Sequence, residues 1–136
     1  MLSSSLRLIC ISACYNLSNE RATESVVEAL LNVPDLKGVV LETFGSGNAP
    51  THDWLYRHLR AAVDRGVVIV NKTQCNTGSV TMGQYAVSLN LLKAGVISGY
   101  DITTEALLTK MAPGRVFLLA DFHAHSQDGQ RSRALF

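Results

Sequence analysis

The sequence has almost no net charge, few cysteines and no long apolar run. Its 136 residues carry 12 Lys and Arg against 11 Asp and Glu, a formal net charge of +1. The basic residues are scattered, with only Arg131 and Arg133 close together, so the chain shows no nucleic-acid footprint. Three cysteines, Cys10, Cys14 and Cys75, cannot all pair within one chain, and reduced thiols in a cytoplasmic protein are the expectation. The opening segment is interrupted by Arg7 and lacks a charged start followed by a clean apolar core, so it reads as a strand rather than a signal peptide. No apolar run approaches the ~18 to 20 residues of a membrane span.

Nucleotide fingerprints are also missing. In LETFGSGNAP, Leu41 to Pro50, Gly45 and Gly47 begin a G-x-G series, but Pro50 stands where a dinucleotide motif has its third glycine. Asn71 and Lys72 end the next strand, where a ribose-binding carboxylate belongs. No G-K-[ST] closes the loop as in a P-loop, and no cofactor is expected. The two glycines suit a tight turn, because glycine tolerates positive φ. Asn48 either takes the left-handed region or caps the next helix, or it offers its amide, donor and acceptor together, to a ligand.

What the chain does have is a regular alternation. Hydrophobic residues make up 47% and charged residues 17%, enough for one domain with a proper core. Strand patterns at Leu6 to Ser12, Lys37 to Thr43, Gly66 to Asn71 and Gly95 to Ser98 alternate with helical ones. The first helix follows Ser18 and ends at Pro34, with Val26, Val27, Leu30 and Leu31 on one face. The second starts at Thr51 or Asp53 and runs to Asp64, closed by Gly66. The third, Gln84 to Lys93, is apolar on several sides and should be well buried. Asp101 or Thr103 caps the fourth, with Glu105 at the positive end of its dipole. This rhythm predicts a three-layer α/β domain with a four-stranded parallel sheet, helices on both faces and ligands at the carboxyl ends of the strands.

Three motifs agree in order and spacing: GSGNAP after a strand, NKTQC after the next, and AGVISGYDITTEA further on. Over about Leu6 to Met111 the chain resembles the C-terminal domain of the L-asparaginase/glutaminase family, the cytosolic, bacterial type I-like group. In that family the nucleophilic threonine and a second Thr-Asp-Lys set lie on an N-terminal domain, where threonine attacks the amide, ammonia leaves and water releases aspartate. No T-G-G-T-I or T-D-T segment appears here, so the resemblance implies an isolated chain without catalytic residues. Asn48 matches an asparagine that reaches across the dimer interface to the substrate, with Gly45 and Gly47 as its supporting turn. Allosteric members carry an effector pocket that includes a cysteine, matched by Cys75, and an arginine, where this chain has Glu42. Cys75 is accordingly expected to be a small buried residue rather than a ligand contact.

The implied partners are the N-terminal domain or a full-length asparaginase subunit, a small amino acid, and a second copy by self-association, with no membrane or nucleic acid. The alternative is a non-enzymatic module that docks on a full-length subunit or binds an amino acid. Residues 1–112 form the asparaginase-type domain in this reading. Residues 113–136, beginning with Pro113 and containing VFLLADF and SQDGQRSR, depart from the family and are expected to be a loosely ordered tail, as in a truncated or spliced product. His123 and His125 give an H-x-H pair there, but no further ligands accompany it and no metal site is expected.

Overall fold

The computed structural model describes residues 7–12, 20–45, 47–75, 79–80 and 86–111. The expected tail, its H-x-H pair, Cys14 and the capping Ser18 lie outside them. Eight elements alternate: β1 (Arg7–Ser12), α1 (Glu20–Leu31), β2 (Leu36–Thr43), α2 (Asp53–Asp64), β3 (Val68–Thr73), α3 (Ala86–Lys93), β4 (Ile97–Ser98) and α4 (Thr104–Lys110). The strands form one parallel sheet in the order β1-β2-β3-β4.

That order decides where the helices go. When each parallel strand is added on the same side of the previous one, right-handed crossovers place every connecting helix on one face. The first core cluster bears this out, since Val27 and Leu31 of α1, Leu55, Leu59 and Ala62 of α2 and Leu91 of α3 pack on Val39, Leu41 and Ile69. Among the described helices, α4 connects no strands of this sheet and is free to take the opposite face. Its Leu107, with Met111 just beyond it, packs on Val40, Val70 and Ile97. Successive strand residues alternate faces, so Val39 and Val40 feed different clusters, and both have no exposed surface. The expected three-layer architecture with helices on both faces is what the chain adopts.

Local chemistry explains the ends. The Thr103 side chain accepts from the Ala106 amide at 3.2 Å and caps α4, so Thr103 rather than Asp101 fills that role. His52 precedes α2 without a side-chain cap. Gly66 follows α2 and donates its N–H to the Val63 carbonyl at 2.9 Å. Strand β3 sits two residues later than the β-branched run, at Val68–Thr73, because its ladder with β2 continues through Glu42↔Lys72 and Thr43↔Thr73.

Two burial expectations fail. Helix α3 is not buried all round, since Leu89 and Leu92 are 39% and 49% exposed while Leu91 is fully covered. It contacts the sheet with one face, and α4 lies across the sheet from it. Val26 on α1 is likewise exposed. Among the described residues no helix is long and apolar enough to cross a membrane.

Candidate functional site

The carboxyl edge of the sheet carries two different sets of polar side chains, one on each face. On the face covered by α1, α2 and α3 they are neutral. Thr43 and Asn71 are fully buried and Ser98 nearly so. The Thr43 Oγ1 donates to Asn71 Oδ1 at 2.6 Å, and Asn71 Nδ2 donates to the Gly47 carbonyl at 3.2 Å. Ser98 Oγ donates to the Val80 carbonyl at 3.0 Å, and the Val80 N–H donates to the Tyr100 carbonyl at 3.0 Å.

These groups surround the turn that follows β2. The Phe44 N–H donates to the Asn48 carbonyl at 2.8 Å, while the amides of Gly47 and Asn48 both reach the Phe44 carbonyl at 2.9 Å. Closing so few residues on themselves demands positive φ, which is +50° at Gly45 and +109° at Gly47. Gly47 has a second requirement. A Cβ there would stand 2.7 Å from Val80 Cγ1 and 3.2 Å from Asn71 Nδ2. The turn is therefore packed from behind and leaves Asn48 half-buried at its exit. The Asn48 carboxamide has no hydrogen-bond partner among the described residues.

On the α4 face the set is ionic. Glu42 and Lys72 are register partners, and the Thr104 Oγ1 donates to Glu42 Oε1 at 2.9 Å. Lys72 is buried, and its Nζ donates to the Thr73 carbonyl at 2.7 Å. Cys10, two residues short of the end of β1, lies beside this pair. Its thiol is pushed above its ordinary pKa, first by partial burial, then by the Glu42 carboxylate, with Lys72 opposing. A hollow of about 170 Å³ opens beside Lys72, lined also by Cys75, Asp101, Thr103, Thr104 and Glu105. At ~30 Å³ per water it holds roughly six waters, the scale of a small amino acid.

Cys75 is exposed, not buried. The chain turns off the sheet after Thr73, where the Gln74 N–H donates to the Thr43 carbonyl at 2.9 Å and the Cys75 N–H to Thr73 Oγ1 at 3.1 Å. This bend swings the thiol out to the hollow. His58 on α2 is half-buried, with its Nε2 3.2 Å from Glu24 Oε1 and its ring edge-on to Trp54. A larger open groove of about 750 Å³ lies between α2 and α3, beside Tyr56, Arg57, Asn90 and Lys93. No strand end lines it, and its Arg60 is already taken by Asp64 at 3.1 Å and the Lys93 carbonyl at 3.0 Å. Among the described residues no group of three or more His, Cys, Asp or Glu could hold a metal ion.

The supporting residues Thr43, Asn71, Ser98 and Val80 do not stand out in the sequence as site residues. The signal available is NKTQC itself, where an asparagine sits inside an otherwise β-branched strand that disfavours it.

The sequence profile of the glutaminase/asparaginase C-terminal domain matches residues 18–114. The chain belongs to that family. Over 88 residues it is 53% identical to the human 60 kDa lysophospholipase, a stretch covering 65% of this chain and 15% of that protein. Over 86 residues it is 48% identical to L-asparaginase 1 of Escherichia coli K12, covering 63% of this chain and 25% of that one. In structure it is similar to L-asparaginase I from Vibrio cholerae, with a TM-score of 0.70 and 37% identity, covering 91% of this chain and 35% of that chain. This glutaminase/asparaginase C-terminal domain thus spans a quarter or less of the length of these two curated relatives.

Proposed function

We propose that this chain serves as the C-terminal domain of an L-asparaginase-like amidohydrolase in the cytoplasm, acting with a nucleophile-bearing N-terminal domain on another polypeptide or subunit. Residues 1–112 would be that domain and residues 113–136 a divergent tail. Its contribution would be Asn48, presented by the Gly45–Gly47 turn to a substrate bound at the partner. The observation that carries this reading is the Asn48 amide, without a hydrogen-bond partner among the described residues, at the exit of a turn that is backed by buried groups.

Acyl transfer from an amide needs a nucleophile with an activating base. Neither strand-end threonine, Thr43 or Thr73, has one, and Thr104, whose Oγ1 donates to Glu42 Oε1 at 2.9 Å, lies on the α4 face of the sheet, opposite the turn that carries Asn48. Thr43 Oγ1 donates to Asn71, Thr73 Oγ1 accepts from the Cys75 amide, and Lys72 Nζ points at a backbone carbonyl rather than at a hydroxyl. The chain by itself is therefore expected to be catalytically silent. Its relatives are named for an asparaginase, a lysophospholipase and, at 40% identity over 76 residues, a glutamyl-tRNA(Gln) amidotransferase of Methanobrevibacter smithii. Acyl transfer is common to these names, and asparagine as substrate rests on the asparaginases.

The test is complementation. Mixed with the N-terminal domain of an L-asparaginase, the chain should restore ammonia release from asparagine, and Asn48→Ala should lower the restored rate by about tenfold or more, the scale of one lost charge-assisted hydrogen bond. Hydrolysis of asparagine by the chain alone, or a restored rate indifferent to Asn48→Ala, would overturn the proposal. The hollow beside Lys72 and Cys75 favours a second reading, a module that binds an amino acid without catalysis. That reading gains if complementation fails while an amino acid raises the melting temperature. Cys75 would then be a contact, with Glu42 standing behind the lining through its bond with Thr104.

A further inference from the structure

We propose that Asn71 is the positioning residue for Asn48: its carboxamide, locked by Thr43, holds the Gly45–Asn48 turn in the one pose that aims Asn48 outward. This rests on the role proposed for Asn48 and adds the group that sets its direction.

The locking follows from donor and acceptor logic. The Gly47 carbonyl can only accept, so the Asn71 group facing it at 3.2 Å has to be Nδ2. The other end of the amide, Oδ1, must then find a donor, and the Thr43 hydroxyl supplies it at 2.6 Å. Reversing the amide would set two acceptors against each other at Gly47, so the buried site admits a single orientation. The Asn71 backbone is tied as well, since its carbonyl accepts from the Gly99 N–H at 2.8 Å. One residue thereby links the end of β2, the turn and the start of the β4 exit.

Rigidity of this kind matters for a group working in another molecule's site. A side chain on a turn free to rotate samples many directions, and a misplacement of about 1 Å is enough to cost ~100-fold in rate. Hydrogen bonds from within the turn close it, but those bonds do not set its tilt relative to the sheet. The Asn71 Nδ2 bond does, because it runs from a central strand to the turn's own carbonyl. Asn71 touches no substrate in this account. It acts through Asn48 alone.

Two readouts test this on the full chain. The first is amide hydrogen exchange at Gly47 and Asn48, with Val39, Val40 and Ile69 as internal references. Asn71→Leu and Thr43→Val should each speed exchange at Gly47 and Asn48 by about tenfold, the worth of a single hydrogen bond, with the reference amides unchanged. Thr43→Ser, which keeps the hydroxyl, should restore the wild-type protection. A core-filling role would instead loosen all five amides together or leave Thr43→Ser no better than Thr43→Val. Either result would overturn the proposal, as would unchanged exchange in Thr43→Val, the variant to rely on should Asn71→Leu fail to fold. The second readout is restored hydrolysis with the N-terminal domain of an L-asparaginase. Thr43→Val should lower kcat as Asn48→Ala does, and adding it to Asn48→Ala should lower it no further. If Asn48→Ala has no effect, the role of Asn48 is lost while the exchange result still decides that of Asn71. If Asn48→Ala lowers kcat and Thr43→Val does not, Asn71 has no positioning role.

Discussion

Replacing Gly47 by alanine separates two demands that the turn makes at one position. The first is conformational: φ is +109°, and an L-residue held at positive φ loses about 1–2 kcal/mol. The second is steric: the new methyl would lie 2.7 Å from Val80 Cγ1 and 3.2 Å from Asn71 Nδ2. Forcing a methyl into such a packed site costs about 1–3 kcal/mol. Gly45→Ala supplies the control. Its φ is +50°, and a Cβ there meets nothing within 4 Å, so it bears the conformational cost alone. Both alanines gain equally from a less flexible unfolded chain, by about 0.4–1 kcal/mol, and this gain cancels in the comparison. Gly47→Ala should therefore be the less stable of the two by at least about 1–3 kcal/mol, since φ of +109° also lies outside the left-handed region that +50° occupies. Urea denaturation of the full chain measures this directly, with an unchanged m-value required for the comparison to hold. Val80→Ala should shrink the penalty of Gly47→Ala towards that of Gly45→Ala, since the clash partner is gone, and the coupling between the two changes can be read from a double-mutant cycle. Equal losses for Gly45→Ala and Gly47→Ala, or no coupling to Val80, would refute the packing account of the turn.

Two further outcomes follow from the packing and the charges. Leu59 has no exposed surface at the centre of the larger core, and Leu59→Ala should cost about 2–5 kcal/mol in thermal or urea unfolding; a loss below about 1 kcal/mol would mean that α2 is not seated on the sheet. The Cys10 thiol is raised by burial and by Glu42, and lowered by Lys72. Glu42→Gln removes a negative charge, lowers the thiol pKa and should move the midpoint of its alkylation rate to lower pH; Lys72→Met should move it the other way. Measured in a Cys14→Ser, Cys75→Ser background, an unmoved midpoint in both variants would rule out the ionic cluster at Cys10.

The fold was legible because its determinants are local. Runs such as KGVVLET and GVVIVN have no polar face, which only a doubly covered strand tolerates, and the intervening helices carry clear apolar stripes at Leu55, Leu59 and Ala62. The site was legible only in its outline. GSGNAP announces a turn, and Asn48 is the residue in it able to reach out. What holds the turn was hidden, because Thr43–Asn71 and Asn71–Gly47 are contacts 28 and 24 residues apart in the chain, and no periodicity encodes a side-chain pair across strands. The exposure of Cys75 was missed for a related reason. Cysteine is a small apolar residue by composition, but whether β3 ends before or after it depends on the register with β2. The exposed Leu89 and Leu92 reflect which side of α3 the sheet occupies, and a helix apolar on several sides does not say.

The two faces of the carboxyl edge make different physical demands, and the difference bears on what the edge is for. Polar groups that merely end a strand can stand in water, where their hydrogen bonds are satisfied without ordering anything. Thr43 and Asn71 are instead withdrawn from water completely. Burying a hydroxyl and an amide gains stability only when their bonds are all made, and a single missing partner costs about 1–3 kcal/mol. Such an arrangement tolerates little variation and fixes geometry firmly. It backs a turn whose own conformation excludes ordinary side chains at Gly47. All of that constraint converges on a residue, Asn48, whose amide is left unmatched among the described residues. The Glu42, Lys72 and Cys75 side has the opposite character: it is ionic and borders an open hollow. A rigid neutral side suits a fixed contact with another molecule's site, whereas an ionic, accessible side suits a ligand that comes and goes. Because Thr43 follows Glu42 directly, and Lys72 follows Asn71, any shift of either strand end would move both sides at once.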